Sequence, residues 1–243
     1  MKVAFAGATR GIGRVLARLL AEGGHDLFLL GRDGDQLARS AADLEVRAGR
    51  PVGHAALDLG DPDTFVPALD AADAALGGFD TLVVTAADFA SQDALEADPA
   101  RLRRLLDADF TGTVLLCEAA RPRLLARRGT LCVFGSVAGD RGRSPVVLYG
   151  AAKAGLAHYL EGLDHRFRRQ GLRVVTVKPG FVRTGMTSGL PEPPFAADAE
   201  PVARRALRAL ERGVPVVYAP PVWRLVMAVV RRLPRAVMRR VGF

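Results

Sequence analysis

Several residue types and patterns that mark common classes of protein are scarce in this chain. Its two cysteines, Cys117 and Cys132, lie in apolar segments, which argues against a disulfide framework and favours a reducing, cytoplasmic location. Neither they nor the four histidines show metal-ligand spacing, so we expect no metal. No segment reaches the ~18 uncharged apolar residues of a membrane span. Aromatic residues make up only 6% of the chain, and no zinc or helix-turn-helix pattern is present, so nucleic acid is not an expected partner.

Lysine is also scarce, and acidic residues are missing from one end. Of the 34 basic residues only Lys2, Lys153 and Lys178 are lysine, which leaves 31 arginines. The segment 214–243 holds six arginines and no acid, so it carries six of the eight net positive charges. The other 213 residues therefore carry only +2, and the basic character of the chain is concentrated in its C-terminal tail.

Apolar runs of strand length alternate with helical segments from the first residue. This alternation predicts one α/β domain with a doubly wound parallel sheet of about seven strands over 1–219, followed by an amphipathic tail, 220–243. A Pro- and Gly-rich stretch, 183–197, is predicted to be an irregular lid over a site. The predicted strands are 2–7, 25–31, 52–57, 80–86, 129–135, 172–179 and 214–219, and the predicted helices are 11–23, 34–48, 62–76, 98–127, 148–170 and 198–212.

Three glycines stand where the first predicted strand turns into the first helix. Without Cβ atoms, Gly7, Gly11 and Gly13 allow a sharp turn and close approach to a pyrophosphate. The unpaired N–H groups at the start of the helix favour the same anion. The pattern therefore predicts a dinucleotide site, and a tight turn without a ligand is the alternative.

The end of the second predicted strand bears on the type of cofactor. An acid at this place commonly accepts from the ribose hydroxyls of NAD(H), but here Gly31 takes its place and Arg32 follows. Arg10 can reach the same region, and two guanidinium groups favour a phosphate, so we expect NADP(H) in preference to NAD(H). The alternative is that both arginines are simply solvated. Asp58 is expected to accept from the adenine amino group, or else to cap a helix.

Tyr149 and Lys153 are four residues apart, which places both on one face of a helix. A nearby ammonium favours the phenolate, so we expect a lowered pKa for Tyr149. Such a tyrosine can exchange a proton with a carbonyl or alcohol oxygen, to which Ser136 would hydrogen-bond. Chance spacing on an ordinary helix is the alternative for the Tyr–Lys pair.

Together these motifs resemble the short-chain dehydrogenase/reductase family. The matching pieces are AGATRGIG (6–13), Asp58, Ser136, YGAAK (149–153) and KPGFVRT (178–184). The resemblance implies a Rossmann-like fold and hydride transfer between a nicotinamide cofactor and a carbonyl or alcohol. It also implies specific roles: acid/base for Tyr149, carbonyl binding for Ser136, ribose binding and pKa tuning for Lys153, and cofactor binding for the glycine turn with Ile12, and for Val182 and Thr184.

The chain departs from the family pattern in two places. Residues 84–87, VTAA, replace the family's Asn-Asn-Ala-Gly, which we interpret as structural drift. The catalytic asparagine of the family corresponds to Asp109, whose charge would raise the pKa of Lys153 and alter a water-mediated proton relay. The nearby Asp107 is the alternative match.

The tail has an apolar arc and an arginine face. On a helical wheel one broad arc is apolar and the opposite side is basic. The arc holds Trp223, Val226, Met227, Val229, Val230 and Leu233, and the opposite side holds Arg224, Arg231 and Arg232. Pro234 is expected to end this helix before a second piece, 235–241. This pattern predicts contact with an anionic membrane surface, on the inner face of the plasma membrane; packing of the arc on the body or on a partner subunit is the alternative.

The loop and tail further resemble the branch that contains decaprenylphosphoryl-2-keto-ribose reductases. That resemblance implies a lipid-linked or otherwise amphiphilic ketone as substrate. One alternative is a soluble ketoreductase for acyl-thioester, polyketide or steroid-like ketones, and another is a non-catalytic dinucleotide-binding regulatory protein. Family habit also implies a homo-oligomer, a dimer or tetramer.

Overall fold

A computed structural model describes residues 1–240 of the chain and shows a seven-stranded parallel sheet. The strand order is β3-β2-β1-β4-β5-β6-β9, and every neighbouring pair is parallel. The predicted doubly wound α/β fold is therefore confirmed. The strands, including a separate short pair, are β1 Lys2–Ala6, β2 Asp26–Gly31, β3 Gly53–Ala56, β4 Thr81–Val84, β5 Thr130–Phe134, β6 Arg173–Pro179, β7 Val182–Arg183, β8 Ala197–Asp198 and β9 Val216–Ala219.

Helices cover both faces of this sheet. Alternate residues of β1 point to opposite faces. Val3 and Phe5 pack with one set of helices, and Ala4 and Ala6 pack with the other. The first set is α1, α2 and α8, and the second is α3, α6 and α7. The helices are α1 Gly11–Glu22, α2 Gly34–Ala48, α3 Phe65–Leu76, α4 Gln92–Ala97, α5 Pro99–Leu106, α6 Thr113–Ala126, α7 Val147–Phe167, α8 Ala199–Arg212, α9 Val222–Val230 and α10 Arg235–Met238.

The element boundaries differ from the predictions in a few places. The short helix α4 falls in a segment with no predicted element, where Ser91 caps it by accepting from the Ala94 N–H. The two ends of the predicted irregular stretch, 183–197, lie in the paired strands β7 and β8, which hold them together. The last predicted strand, 214–219, begins only at Val216, because 213–215 complete the turn after α8.

The predicted helix 98–127 is divided by a wider, π-helical turn at Asp107–Gly112. Such turns insert one extra residue into a helix and are frequent at functional sites. Gly112 is required within it, since a Cβ there would lie 1.8 Å from the backbone oxygen of Leu59. The wider turn brings Asp109 into the interior, where it is 0% exposed.

The tail packs on the body through the arc that the sequence assigns to a membrane surface. Trp223, Met227 and Val230 are buried against Val137, so the outward position expected for Trp223 is wrong. The second predicted piece, 235–241, is a short helix, α10, and its residue 241 lies outside the described residues. Within residues 1–240, no helix is both long and apolar enough to cross a bilayer.

Candidate active site

The carboxyl ends of four adjacent strands meet at one edge of the sheet. Gly7 follows β1, Thr85 follows β4, Ser136 lies two residues beyond β5, and Gly180 follows β6. The strands are parallel and in register, so these positions are neighbours along that edge. In open α/β sheets this edge is where ligands bind.

Helix α7 brings Tyr149 and Lys153 to this edge. The half-buried Tyr149 hydroxyl is hydrogen-bonded to the Ser136 side chain, whose oxygen also accepts from the Ala138 N–H at 3.1 Å. The Lys153 ammonium lies 5.5 Å from the centre of the Tyr149 ring. The three residues singled out in the sequence are thus brought together, with Ser136 positioned by the turn that its own side chain caps.

Lys153 forms a buried ion pair with Asp109. The Lys153 Nζ is 3.1 Å from Asp109 Oδ2, and the two side chains are 2% and 0% exposed. The other oxygen of Asp109 accepts from the backbone N–H of Asp88 at 2.6 Å. Asp109, and not Asp107, is therefore the acid beside Lys153; Asp107 instead pairs with Arg103 on the surface.

These contacts set the direction of the pKa shifts. Burial lowers the pKa of Lys153, but Asp109 and Tyr149 raise it by more, so the net pKa is raised, in the direction expected from Asp109. Burial also raises the pKa of Tyr149, with a further increase from Asp109, and these outweigh the opposing effect of Lys153. The lowered pKa expected for Tyr149 is therefore wrong for the protein without ligands, because Asp109 already neutralises the lysine and the phenol is poorly solvated.

The glycine turn forms a narrow cradle next to β4. Gly7 has φ +96°, and a Cβ on it would lie 2.4 Å from the Ala86 backbone nitrogen. A Cβ on Gly13 would lie 2.1 Å from the Gly7 oxygen. That oxygen accepts from the Thr85 hydroxyl at 2.9 Å. The glycines thus allow the turn to pack tightly against the end of β4, and the turn leads directly into the N-terminus of α1, whose unpaired N–H groups favour a diphosphate.

The far side of the same turn meets the β7 region. Thr184 lies against Gly11, since its Cγ2 would be 3.3 Å from a Cβ there. Ile12 packs with the buried Val182. The residues predicted to hold the carboxamide and those predicted to hold the diphosphate therefore lie side by side.

The end of β2 combines basic groups with the start of α2. Arg10 Nε donates to Gln36 Oε1 at 3.0 Å, which brings Arg10 to the helix that begins two residues after the exposed Arg32. A cavity of about 690 Å³ opens beside them between α1 and α2, lined in part by Arg14 and Arg39. Ser136, Tyr149 and Lys153 do not line this cavity.

Asp58 shapes a turn after β3. Its Oδ1 accepts from the Gly60 N–H at 2.9 Å, and its backbone pairs with Asp61. The helix cap at this place comes from Asp61, whose side chain accepts from the Asp63 N–H. The helix-capping alternative for Asp58 is thus wrong, because the residue precedes the helix by one full turn.

Three residues after β4 belong to the site although the sequence did not single them out. Thr85 holds the glycine turn, Asp88 orients Asp109 through its N–H, and Phe89 packs edge-on against Tyr149 with 5.1 Å between ring centres. Of the VTAA segment, 84–87, Thr85 is the residue whose side chain contacts the glycine turn. The only sequence signal for these three residues was their position just after a central strand, where the residues of a binding site are commonly found.

Comparison with known proteins points to one family. A family model described as short chain dehydrogenase matches residues 2–194. An uncharacterized oxidoreductase of Mycobacterium tuberculosis is 36% identical over 239 residues, covering 98% of this chain and 95% of that protein. The cis-4-hydroxycyclohexanecarboxylate dehydrogenase of Sinomonas cyclohexanicum is 36% identical over 209 residues, covering 82% and 81%.

Solved structures share the fold over most of the chain. A short chain dehydrogenase/reductase family protein is 28% identical with a TM-score of 0.76, covering 89% of this chain and 94% of its own. A short-chain dehydrogenase from Sphingobium yanoikuyae in complex with NADPH has a TM-score of 0.82 at 24% identity, covering 97% and 98%.

The Asp109→Asn substitution tests the electrostatic role of the buried acid. The carboxylate raises the pKa values of both Lys153 and Tyr149, so its removal lowers both. Because the phenolate accepts the proton of an alcohol, we expect the rise of alcohol oxidation with pH to move to lower pH, as measured from the pH–rate profile. Asp107→Asn, on the same π-helical turn, is the control and should leave the profile in place; equal profiles for the two variants would contradict the assignment.

Proposed function

The chain belongs to the short-chain dehydrogenase family, and we propose that it reduces a ketone to an alcohol with NADPH. As a member of the family it is an oxidoreductase that uses a nicotinamide dinucleotide. The observation that carries the ketone proposal is the hydrogen-bonded pair Tyr149–Ser136 beside Lys153, at the sheet edge that also holds the glycine turn.

The residues divide the chemistry between them. Reduction adds a hydride to the carbonyl carbon and a proton to its oxygen, and the nicotinamide that supplies the hydride becomes oxidised. Ser136 and Tyr149 hold the carbonyl oxygen with two hydroxyl groups, and Tyr149 then donates its proton. A raised pKa keeps the phenol protonated, which suits a general acid in the direction of reduction. Lys153 lies behind the phenol and stabilises the phenolate that remains.

Each part of the cofactor has a proposed partner at this edge of the sheet. Gly7, Gly11 and Gly13 would hold the diphosphate, while Val182 and Thr184 would hold the carboxamide. Arg10 and Arg32 would bind a 2′-phosphate with charge-assisted hydrogen bonds, which supports NADP(H) over NAD(H). The similar chain from Sphingobium yanoikuyae, which carries NADPH, is in line with this preference.

The outer face of the tail supports an amphiphilic substrate at a membrane surface. Leu225 and Val229, one turn apart on α9, are 72% and 62% exposed. The segment 214–243 that carries them has six arginines and no acid. Exposed apolar groups within a basic surface bind anionic lipid headgroups and the adjoining acyl chains. The face proposed for the membrane is thus the one opposite to Trp223.

Replacing the proposed acid tests the reaction. Tyr149→Phe removes the proton donor and should lower kcat for NADPH-dependent reduction of 2,3-butanedione or 4-oxocyclohexanecarboxylate by about 10²–10⁴-fold. Tyr159→Phe is the matched control, since Tyr159 lies on the same helix and bonds to Glu118 on another face. Wild-type protein that binds NADPH but reduces neither ketone would favour a regulatory role instead.

Cofactor preference is tested by removing both guanidinium groups. The double variant Arg10→Ala/Arg32→Ala should raise KM for NADPH roughly 10-fold. This is the lower end of the effect expected for losing a charge-assisted hydrogen bond, because the site is exposed. KM for NADH should stay the same. Arg103→Ala, an exposed arginine on α5, serves as the control. An equal increase in KM for NADH and NADPH would show that the arginines do not read the 2′-phosphate.

Membrane contact is tested with vesicles that contain phosphatidylglycerol. The double variant Leu225→Gln/Val229→Gln should lose sedimentation with these vesicles and keep its Tm, because both side chains are exposed. Val46→Gln, at an 85% exposed position on α2, should bind like the wild type. Absence of wild-type binding would leave a soluble ketoreductase as the better description. Equal binding by all three proteins would show that the contact does not use Leu225 and Val229.

A further inference from the structure

Arginines line the cavity between α1 and α2 from both sides. Arg10 at the start of α1, and Arg14 and Arg18 within it, follow at four-residue intervals, so they lie along one face of the helix. Arg39 and Arg47 line the cavity from α2. Its volume of about 690 Å³ lies within the range of roughly 300–1,000 Å³ that is typical of small-molecule sites. The cavity is therefore strongly basic and large enough for a ligand.

Acidic side chains neutralise the end of this cavity that is farther from the glycine turn. Arg18 pairs with Glu22 at 3.2 Å and with Glu200 at 2.5 Å. Arg47 donates to both oxygens of Asp43 at 3.0 Å, and it lies 3.7 Å from Glu22. Those two guanidinium groups therefore already have their counter-charges within the protein.

The end of the cavity beside the glycine turn holds three guanidinium groups without such partners. Within the described part of the chain, the side chains of Arg14 and Arg39 make no hydrogen bond or ion pair, and Arg10 donates to the neutral Gln36. Asp43 is the only acid among the described residues that line the cavity; it already has a partner, and its charge acts on Arg14 only at longer range. Like charges one helical turn apart repel each other, so this end favours an anion from outside.

Hydroxyl groups and an apolar wall complete the cavity. Thr9 and Ser40 line it with hydroxyl groups, and the buried Ala8 and Leu44 form an apolar part of its wall. Guanidinium and hydroxyl groups both donate hydrogen bonds, and a phosphate accepts several of them at once. A concave site with an apolar wall and a few convergent donors is the usual form of a small-molecule site.

We infer that this cavity binds a phosphate dianion through Arg14 and Arg39, with Arg10 beside them. Arg32, to which the proposed function assigns the 2′-phosphate of NADP(H), does not line the cavity. Two molecules can supply the phosphate. One is the cofactor, whose 2′-phosphate would reach past Arg10 into the cavity, and the other is a separate phosphorylated small molecule. The first source rests on the proposed function, and the second is independent of it.

The double variant Arg14→Gln/Arg39→Gln tests the site, and it should keep its Tm because both side chains are exposed. If the cofactor supplies the phosphate, Kd for NADPH, followed by nucleotide fluorescence, should rise roughly 10-fold while Kd for NADH stays the same. If a separate molecule supplies it, inorganic phosphate should bind the NADPH-saturated wild type in a calorimetric titration at constant ionic strength. Its Kd should then rise roughly 10-fold in the variant.

The matched control is Arg101→Gln/Arg208→Gln. It removes two exposed arginines, on α5 and α8, that do not line the cavity, so the net charge falls by the same amount. The control should keep the wild-type Kd values for NADPH and for inorganic phosphate.

Three outcomes would overturn the inference: unchanged Kd values in the Arg14/Arg39 variant, equal losses in the control, or equal losses for NADH and NADPH without any phosphate binding. These are binding measurements, so a wild type that binds NADPH and reduces no ketone refutes only the proposed function. If the wild type binds neither nucleotide, inorganic phosphate is titrated into the unloaded protein. Saturable binding that the variant loses would support the inference there, and its absence would refute it.

Discussion

The buried ion pair between Lys153 and Asp109 holds the candidate active site together. Each charge is almost fully removed from water, so each requires the other, and removing one partner of such a pair typically costs about 3–5 kcal/mol. The pair joins three parts of the chain: helix α7, the π-helical turn, and the loop after β4 through the Asp88 N–H. The position of Tyr149 above the lysine follows from that arrangement.

An acid in place of the family's asparagine alters the electrostatics of the site. A neutral amide would leave the lysine's charge free to lower the pKa of the phenol. The carboxylate of Asp109 instead neutralises that charge and raises the pKa values of both Lys153 and Tyr149. A protonated phenol is the form that donates to a carbonyl oxygen, which agrees with the general-acid role proposed for Tyr149.

The tail joins the site to the surface of the protein. Its inner face packs Trp223 against Val137, next to Ser136, and its outer face presents Leu225 and Val229 to water. A helix of two and a half turns can do both because residues three and four apart share a face, so two separate apolar stripes fit around it. The wheel places Trp223 and Val229 in one broad arc, and only the contacts with Val137 separate the inward stripe from the outward one.

Most of the fold was predictable from the sequence. Apolar strands alternating with helices indicate a parallel sheet, and the glycine turn, Ser136, Tyr149 and Lys153 follow from local spacing. The roles of Thr85, Asp88 and Phe89 were not predictable, because each depends on a neighbour far away in sequence. The same holds for the π-helical turn, which is fixed by the contact between Gly112 and the Leu59 oxygen.

The sequence by itself determined which chemical groups are present and which share a helix face or a strand end, since those relations depend only on backbone periodicity. The tertiary structure alone decided how these groups influence one another. Burial and the distance to Asp109 set the pKa of Tyr149, and contact with the body decided which side of the tail meets water. Electrostatic energies depend on distance and on solvent exclusion, and both arise only when remote segments pack together.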